Sequence, residues 1–190
     1  MAGEVVGTTH PSYELVVMDV NRCAGRLEHM SDYYLHRVEN DAETDIEDQM
    51  ESEQMLKEKL LKLIMKLLIT KPHIHYYQGF HDVCLTYINN YGEEIAFKKL
   101  CTLVDSHFSI FMQPTMMETQ KFLTLIPIII GLRKPKLQEF LEVSEVGGIF
   151  ALSWAITWFS HVIPDERVVK SIFDFLEKFD DPHVILYLCA

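Results

Sequence analysis

The chain has 190 residues, 48% of them hydrophobic and 24% charged, which suits one soluble globular domain with a substantial core. A formal net charge of −11 excludes a general nucleic-acid binder, whose phosphate contacts need clustered Lys and Arg. Much of that charge is local: taking away the eight acids between Glu39 and Glu53 leaves only −3 for the remainder.

From the N-terminus, "MAGEVVGTTHPS" lacks the basic start and apolar run of a signal peptide. In "VVMDVNRC" the residues Val16, Asp19 and Arg22 are three apart, so a helix or helical turn sets them on one side and lets Asp19 fix the fork of Arg22. Read from spacing alone, the same pair is an ordinary surface ion pair, worth under about 1 kcal/mol. The acidic segment at about 38–54 reads as a flexible loop running into the front of a helix, where the macrodipole favours carboxylates. Its "DAETDIED" has Ile46 where a calcium loop needs glycine, and calcium binding is not expected. Between Glu51 and Thr70 the stripe Leu56, Leu60, Leu63, Ile64, Leu67 and Leu68 predicts an amphipathic helix, stopped by Pro72.

After "HIHYYQGFHD", a "NNYG" turn leads into a helix carrying Ile95, Phe97, Leu100, Leu103 and Val104. Further apolar stripes follow, divided by Gly131, Pro135, the Gly147-Gly148 pair and "IPDE". Pro127 is expected to kink the helix it occupies. "GIFALSWAITWF" is too short to span a bilayer and predicts a core helix, with Phe150, Trp154, Trp158 and Phe159 packed inside. No run of alternating polarity argues for a sheet, so the expected class is all-α, in a single domain over 1–190. The four cysteines form no CxxC pair and read as reduced, mostly buried thiols.

The chemistry concentrates in residues 73–82. His73, His75 and His81 lack the i, i+4 spacing of a helical zinc motif, and no Ser or Cys lies in a nucleophile elbow. Neither glycine-rich phosphate-binding pattern occurs, so the chain is not expected to bind a nucleotide, a metal or a cofactor of its own. Gln78, from its position alone, reads as a turn or capping side chain more than a catalytic one. Tyr76, Tyr77 and Phe80 read as core anchors, His75, His81, His107 and His161 as packed or capping histidines, and Asp82 as either a first-turn helix acid or a support for Gln78.

Taken together, "VVMDVNR" and "YYQG" resemble the paired I/V-x-x-D-x-x-R and Y-x-Q motifs of the TBC domain family of Rab GTPase-activating proteins. "IHYYQGFHD", "MQPTM" and "EVGGIFALSWAITWFSHV" are similar to stretches of that family's ER-anchored branch, which acts on ER-to-Golgi Rabs, and the likeness covers most of residues 14–190. The resemblance implies an arginine finger at Arg22 and a glutamine finger at Gln78, both supplied in trans to a GTP-bound Rab, with GTP and Mg²⁺ belonging to the partner. It further implies that Asp19 holds Arg22, that Tyr77 places the Gln78 backbone, and that Gly79 allows close approach at the turn. By the same resemblance the chain is expected to be incomplete at both ends, and to work in the cytoplasm, at the cytosolic face of ER and Golgi membranes. The competing expectations are a catalytically silent module that grips a GTPase, and an all-helical interaction scaffold.

Overall fold

The computed structural model describes residues 9–23 and 46–190, with side chains from residue 53 onward in the second segment. Every regular element among these residues is helical, as the sequence predicts: α1 (Tyr13–Arg22), α2 (Ile46–Thr70), α3 (Phe80–Leu103), α4 (Met117–Leu123), α5 (Leu125–Gly131), α6 (Pro135–Val143), a 3₁₀ turn (Ile149–Ala151), α7 (Leu152–Thr157), α8 (Glu166–Leu176) and α9 (Val184–Cys189). The expected stripe of α2 is realised. Leu60, Leu63, Ile64, Leu67 and Leu68 are buried, and Leu56 packs at the edge of the same core. α1 and α3 lie against α2, and α8 closes over α3 from the other side.

An aromatic column joins the layers. Phe80 at the start of α3 meets Phe108 edge-on at 5.8 Å, Phe108 lies 4.6 Å from Trp158, and Trp158 meets Phe173 of α8 at 5.2 Å. These rings are all buried to within 2% of full coverage. Such contacts add directional preference to the area removed from water, about 0.5–1.5 kcal/mol per pair.

Local details depart from the sequence-based expectations in instructive ways. Helix α2 begins at Ile46, so the second part of the acidic segment is helical; residues 38–45 lie outside the described residues. Glu, Gln and Met are good helix formers, and acids at a helix start are favoured by the dipole. The "NNYG" turn is present as expected: Gly92 (φ 73°, ψ 167°) is non-helical and divides α3 into two helices at a kink. The interruption expected at Pro127 falls three residues earlier: the chain breaks at Thr124 and Pro127 occupies the first turn of α5, where its missing N–H costs no hydrogen bond. The proposed core helix is also shorter than expected, because Trp158 and Phe159 both take positive φ (49° and 65°) and end α7. Trp158 is in the core as expected, but Phe150 is 36% exposed and Trp154 and Phe159 are half-buried, stacked on each other at 5.8 Å.

Other boundary signals hold. Pro135 opens α6, and Asp165 caps α8 by accepting from the Arg167 backbone N–H at 2.9 Å. Gly148 is required by packing, since a Cβ there would lie 2.0 Å from the carbonyl oxygen of Leu123.

Candidate functional site

The buried face of α1 is the stripe Val16, Asp19, Val20 and Cys23, so Asp19 occupies a position that spacing assigns to the core. It is fully buried. A carboxylate there is tolerated only with donors around it, and they come from three directions. Arg22, one turn on, brings Nη1 to 3.4 Å from Oδ1; the Tyr76 hydroxyl donates to Oδ2 at 2.9 Å; His81 Nδ1 lies 3.5 Å from Oδ2. The Arg22 side chain is 54% exposed while its anchor is sealed. The guanidinium is therefore held from beneath and open above.

Between α2 and α3 the chain turns at residues 72–73 and again at 78–79. Pro72 ends the helix, the His75 N–H donates to the Met112 carbonyl at 3.0 Å, and burial then alternates: Ile74 and Tyr76 face in, His75 and Gln78 face out. The turn at residues 78–79 breaks this alternation, so Gln78 is exposed although Tyr76, two residues before it, is buried. No hydrogen bond joins Arg22 to Gln78 among the described residues; their link runs through Asp19 and Tyr76.

The residues on either side of Gln78 meet the end of α7. The Tyr77 hydroxyl donates to the Ile156 carbonyl at 2.6 Å, and its ring lies against Phe80 and Phe111 at 5.5 and 6.3 Å. Gly79 caps α3 with φ 105°, and a Cβ there would meet the Thr157 methyl at 3.2 Å. Both the conformation and the space favour glycine. Asp82 stands at the third position of α3, buried, with Oδ2 bonded to His161 Nδ1 at 2.8 Å and Oδ1 3.7 Å from His81 Nε2. Asp82 is thus a first-turn helix acid, and its contact with His161 ties the start of α3 to the residues following α7.

Of the six anticipated residues, Asp19 and Asp82 are linked to each other through His81, and Arg22 contacts Asp19. Tyr76, His81 and His161, read beforehand as packing or capping groups, are the links: Tyr76 and His81 connect to Asp19, and His161 connects to Asp82. Burial is the largest influence pushing both tyrosine hydroxyls to a higher pKa, reinforced at Tyr76 by the Asp19 charge and at Tyr77 by charges including Asp82. Both remain O–H donors at neutral pH.

Arg22 and Gln78 are both exposed while the groups beneath them are buried. A surface cavity of about 340 Å³ between Lys99, His107, Glu177 and Asp180 includes none of these residues. An exposed guanidinium and an exposed amide on rigid supports have the chemistry to address charge on another molecule. Among the described residues no helix is long and apolar enough to cross a membrane.

Comparison with known proteins shows the family. The chain is 42% identical over 113 residues to TBC1 domain family member 20 of Homo sapiens and of Bos taurus, a match covering 60% of this chain and 28% of each relative. It is 38% identical over 119 residues to the GTPase-activating protein gyp10 of Schizosaccharomyces pombe, covering 63% of this chain and 32% of that protein. The matched stretch is thus a third or less of these relatives' length. A model of the Rab-GTPase-TBC domain matches residues 19–190, beginning at the buried aspartate itself, and with the helical fold and the paired motifs it makes this chain a member of the Rab-GTPase-TBC domain family.

Proposed function

We propose that this domain accelerates GTP hydrolysis by a GTP-bound Rab GTPase, with Arg22 and Gln78 inserted into the partner's nucleotide site. The observation that carries the proposal is the exposed Arg22 guanidinium seated on fully buried Asp19, whose second oxygen is held by Tyr76 from the segment that presents Gln78. GTP and Mg²⁺ come with the Rab. Arg22 neutralises charge developing on the transferred γ-phosphoryl group and the leaving oxygen, and Gln78 orients the attacking water. Asp19, Tyr77, Gly79 and Asp82 position these two and take no part in bond making.

An arginine supplied in trans contributes about 10³–10⁵ in rate, or roughly 4–7 kcal/mol. The decisive experiment measures single-turnover phosphate release from a panel of GTP-loaded Rabs with the wild type, Arg22→Ala, Arg22→Lys and Gln78→Ala. Arg22→Ala is expected to fold normally and to lose nearly all stimulation; Arg22→Lys fails as well, because a point charge lacks the guanidinium fork. Full stimulation by either variant overturns the assignment. Rab binding with no acceleration by the wild type selects a GTPase-gripping module, and absence of any Rab interaction selects a scaffold.

Action in ER-to-Golgi traffic, at the cytosolic face of those membranes, is part of the same proposal and is supported by the likeness to the family's ER-anchored branch. Cell fractionation of the full-length protein tests it, and recovery away from those membranes refutes it.

A further inference from the structure

We propose that Cys23, His81 and Asp82 form a zinc site that fastens the end of α1 to the start of α3. Their candidate donors, a thiol sulfur, an imidazole nitrogen and a carboxylate oxygen, all lie within 4.8 Å of one another, and all three residues are buried. The sequence gives no hint of this set, because His81 and Asp82 are adjacent while Cys23 arrives from a separate helix.

Three features of the geometry favour coordination. The His81 Nε2 to Asp82 Oδ1 separation of 3.7 Å is long for a hydrogen bond. It is close to the spacing of about 3.4 Å between two ligands that share a tetrahedral zinc at roughly 2.1 Å each. His81 turns its other nitrogen, Nδ1, toward Asp19 Oδ2 and the Tyr76 hydroxyl, each at 3.5 Å. A carboxylate behind one ring nitrogen is the arrangement that orients a metal-ligating imidazole and sets its tautomer. Asp82 is supported in the same way, its second oxygen accepting from His161 at 2.8 Å. A set of one sulfur, one nitrogen and one oxygen suits Zn²⁺ among the common divalent ions, with water in a fourth position.

Binding replaces the weak thiol contact from Cys23 to the Asp19 carbonyl at 3.6 Å. The metal takes the thiolate, and the thiol proton leaves to solvent. Cys23 directly follows Arg22, and His81 lies three residues after Gln78. The ion would thereby brace the supports of both exposed side chains, independently of whether a Rab is the target.

The test titrates the 190-residue chain, purified metal-free, with Zn²⁺ against a chromophoric chelator and with Co²⁺ followed by absorption. One equivalent is expected, with a thiolate-to-cobalt charge-transfer band and a higher thermal midpoint. Cys23→Ser should abolish the band, Cys101→Ser should keep it, and Asp19→Asn should weaken affinity about 10–100-fold by removing the carboxylate behind His81. In wild type, Zn²⁺ should slow alkylation of Cys23 in mild urea more than that of Cys84 or Cys189, a readout that needs no variant. Absence of the band in wild type, its persistence in Cys23→Ser, or equal alkylation of Cys23 with and without Zn²⁺ overturns the site.

Discussion

Replacing Tyr76 by phenylalanine deletes one oxygen and leaves the buried Asp19 carboxylate a donor short, whereas the same change at Tyr77 deprives only a neutral backbone carbonyl. The two hydroxyls are adjacent in sequence and comparably placed, donating at 2.9 Å to Asp19 Oδ2 and at 2.6 Å to the Ile156 carbonyl. Hydrogen bonds to a charged partner contribute about 1.5–3 kcal/mol net, those between neutral groups about 0.5–1.5. Tyr76→Phe should therefore cost about 2 kcal/mol and Tyr77→Phe about half that. For a chain of 190 residues the first figure lowers the thermal midpoint by roughly 4–8 °C. Urea denaturation followed by circular dichroism measures the difference. Phosphate release should fall more for Tyr76→Phe, since Asp19 is then freer to reorient under Arg22. If Tyr77→Phe proves equally or more destabilising, the Tyr76 bond to Asp19 is worth no more than one to a backbone carbonyl and the reasoning fails.

Gly79→Ala forces a side chain into φ 105° beside Thr157, and Gly92→Ala forces one into φ 73° with no atom nearby. Each should cost about 1–3 kcal/mol by urea denaturation, but only Gly79→Ala should also reduce stimulated hydrolysis; loss of activity in both separates neither position from general destabilisation and defeats the positional argument. Asp105 has its carboxyl pKa lowered, chiefly by the hydrogen bond from Lys71 and also by His73. A depressed carboxyl contributes stability that is complete above its ordinary value of 3.8 and disappears as pH falls through the lower folded value. Thermal midpoints from pH 6 to about pH 2.5 should accordingly fall less steeply for Asp105→Asn than for wild type, with the contrast shrinking in high salt. Among the thiols, Cys101 is the half-buried one, whereas Cys84 and Cys189 are buried, with burial raising the Cys189 pKa to about 12. Iodoacetamide under native conditions should label Cys101 first, as read by peptide mass.

Where sequence reading succeeded, the signal was local. The α2 stripe, Pro135 at a helix start, Asp165 as a cap and the three-residue spacing of Asp19 and Arg22 are each decided within a turn or two of backbone. The break before Pro127 was misplaced because its ring excludes the carbonyl four residues earlier, so the interruption falls upstream of the residue that causes it. Tyr76 to Asp19 spans 57 residues and His161 to Asp82 spans 79. No periodicity records contacts of that range. Nor could it warn that two bulky aromatic residues, Trp158 and Phe159, would adopt a backbone that propensity reserves for glycine and asparagine.

That reversal at Trp158 sets two requirements against each other at a single codon. The backbone, at φ 49° and ψ 43°, would be most relaxed with no side chain at all, while the rings of Phe108 and Phe173 at 4.6 and 5.2 Å need a large flat group to close on. Glycine would ease the chain and hollow out the interior; any other bulky residue would keep the strain and fit the gap less well. Drift at this position has nowhere comfortable to go, so tryptophan is held there by a compromise that neither demand alone would choose.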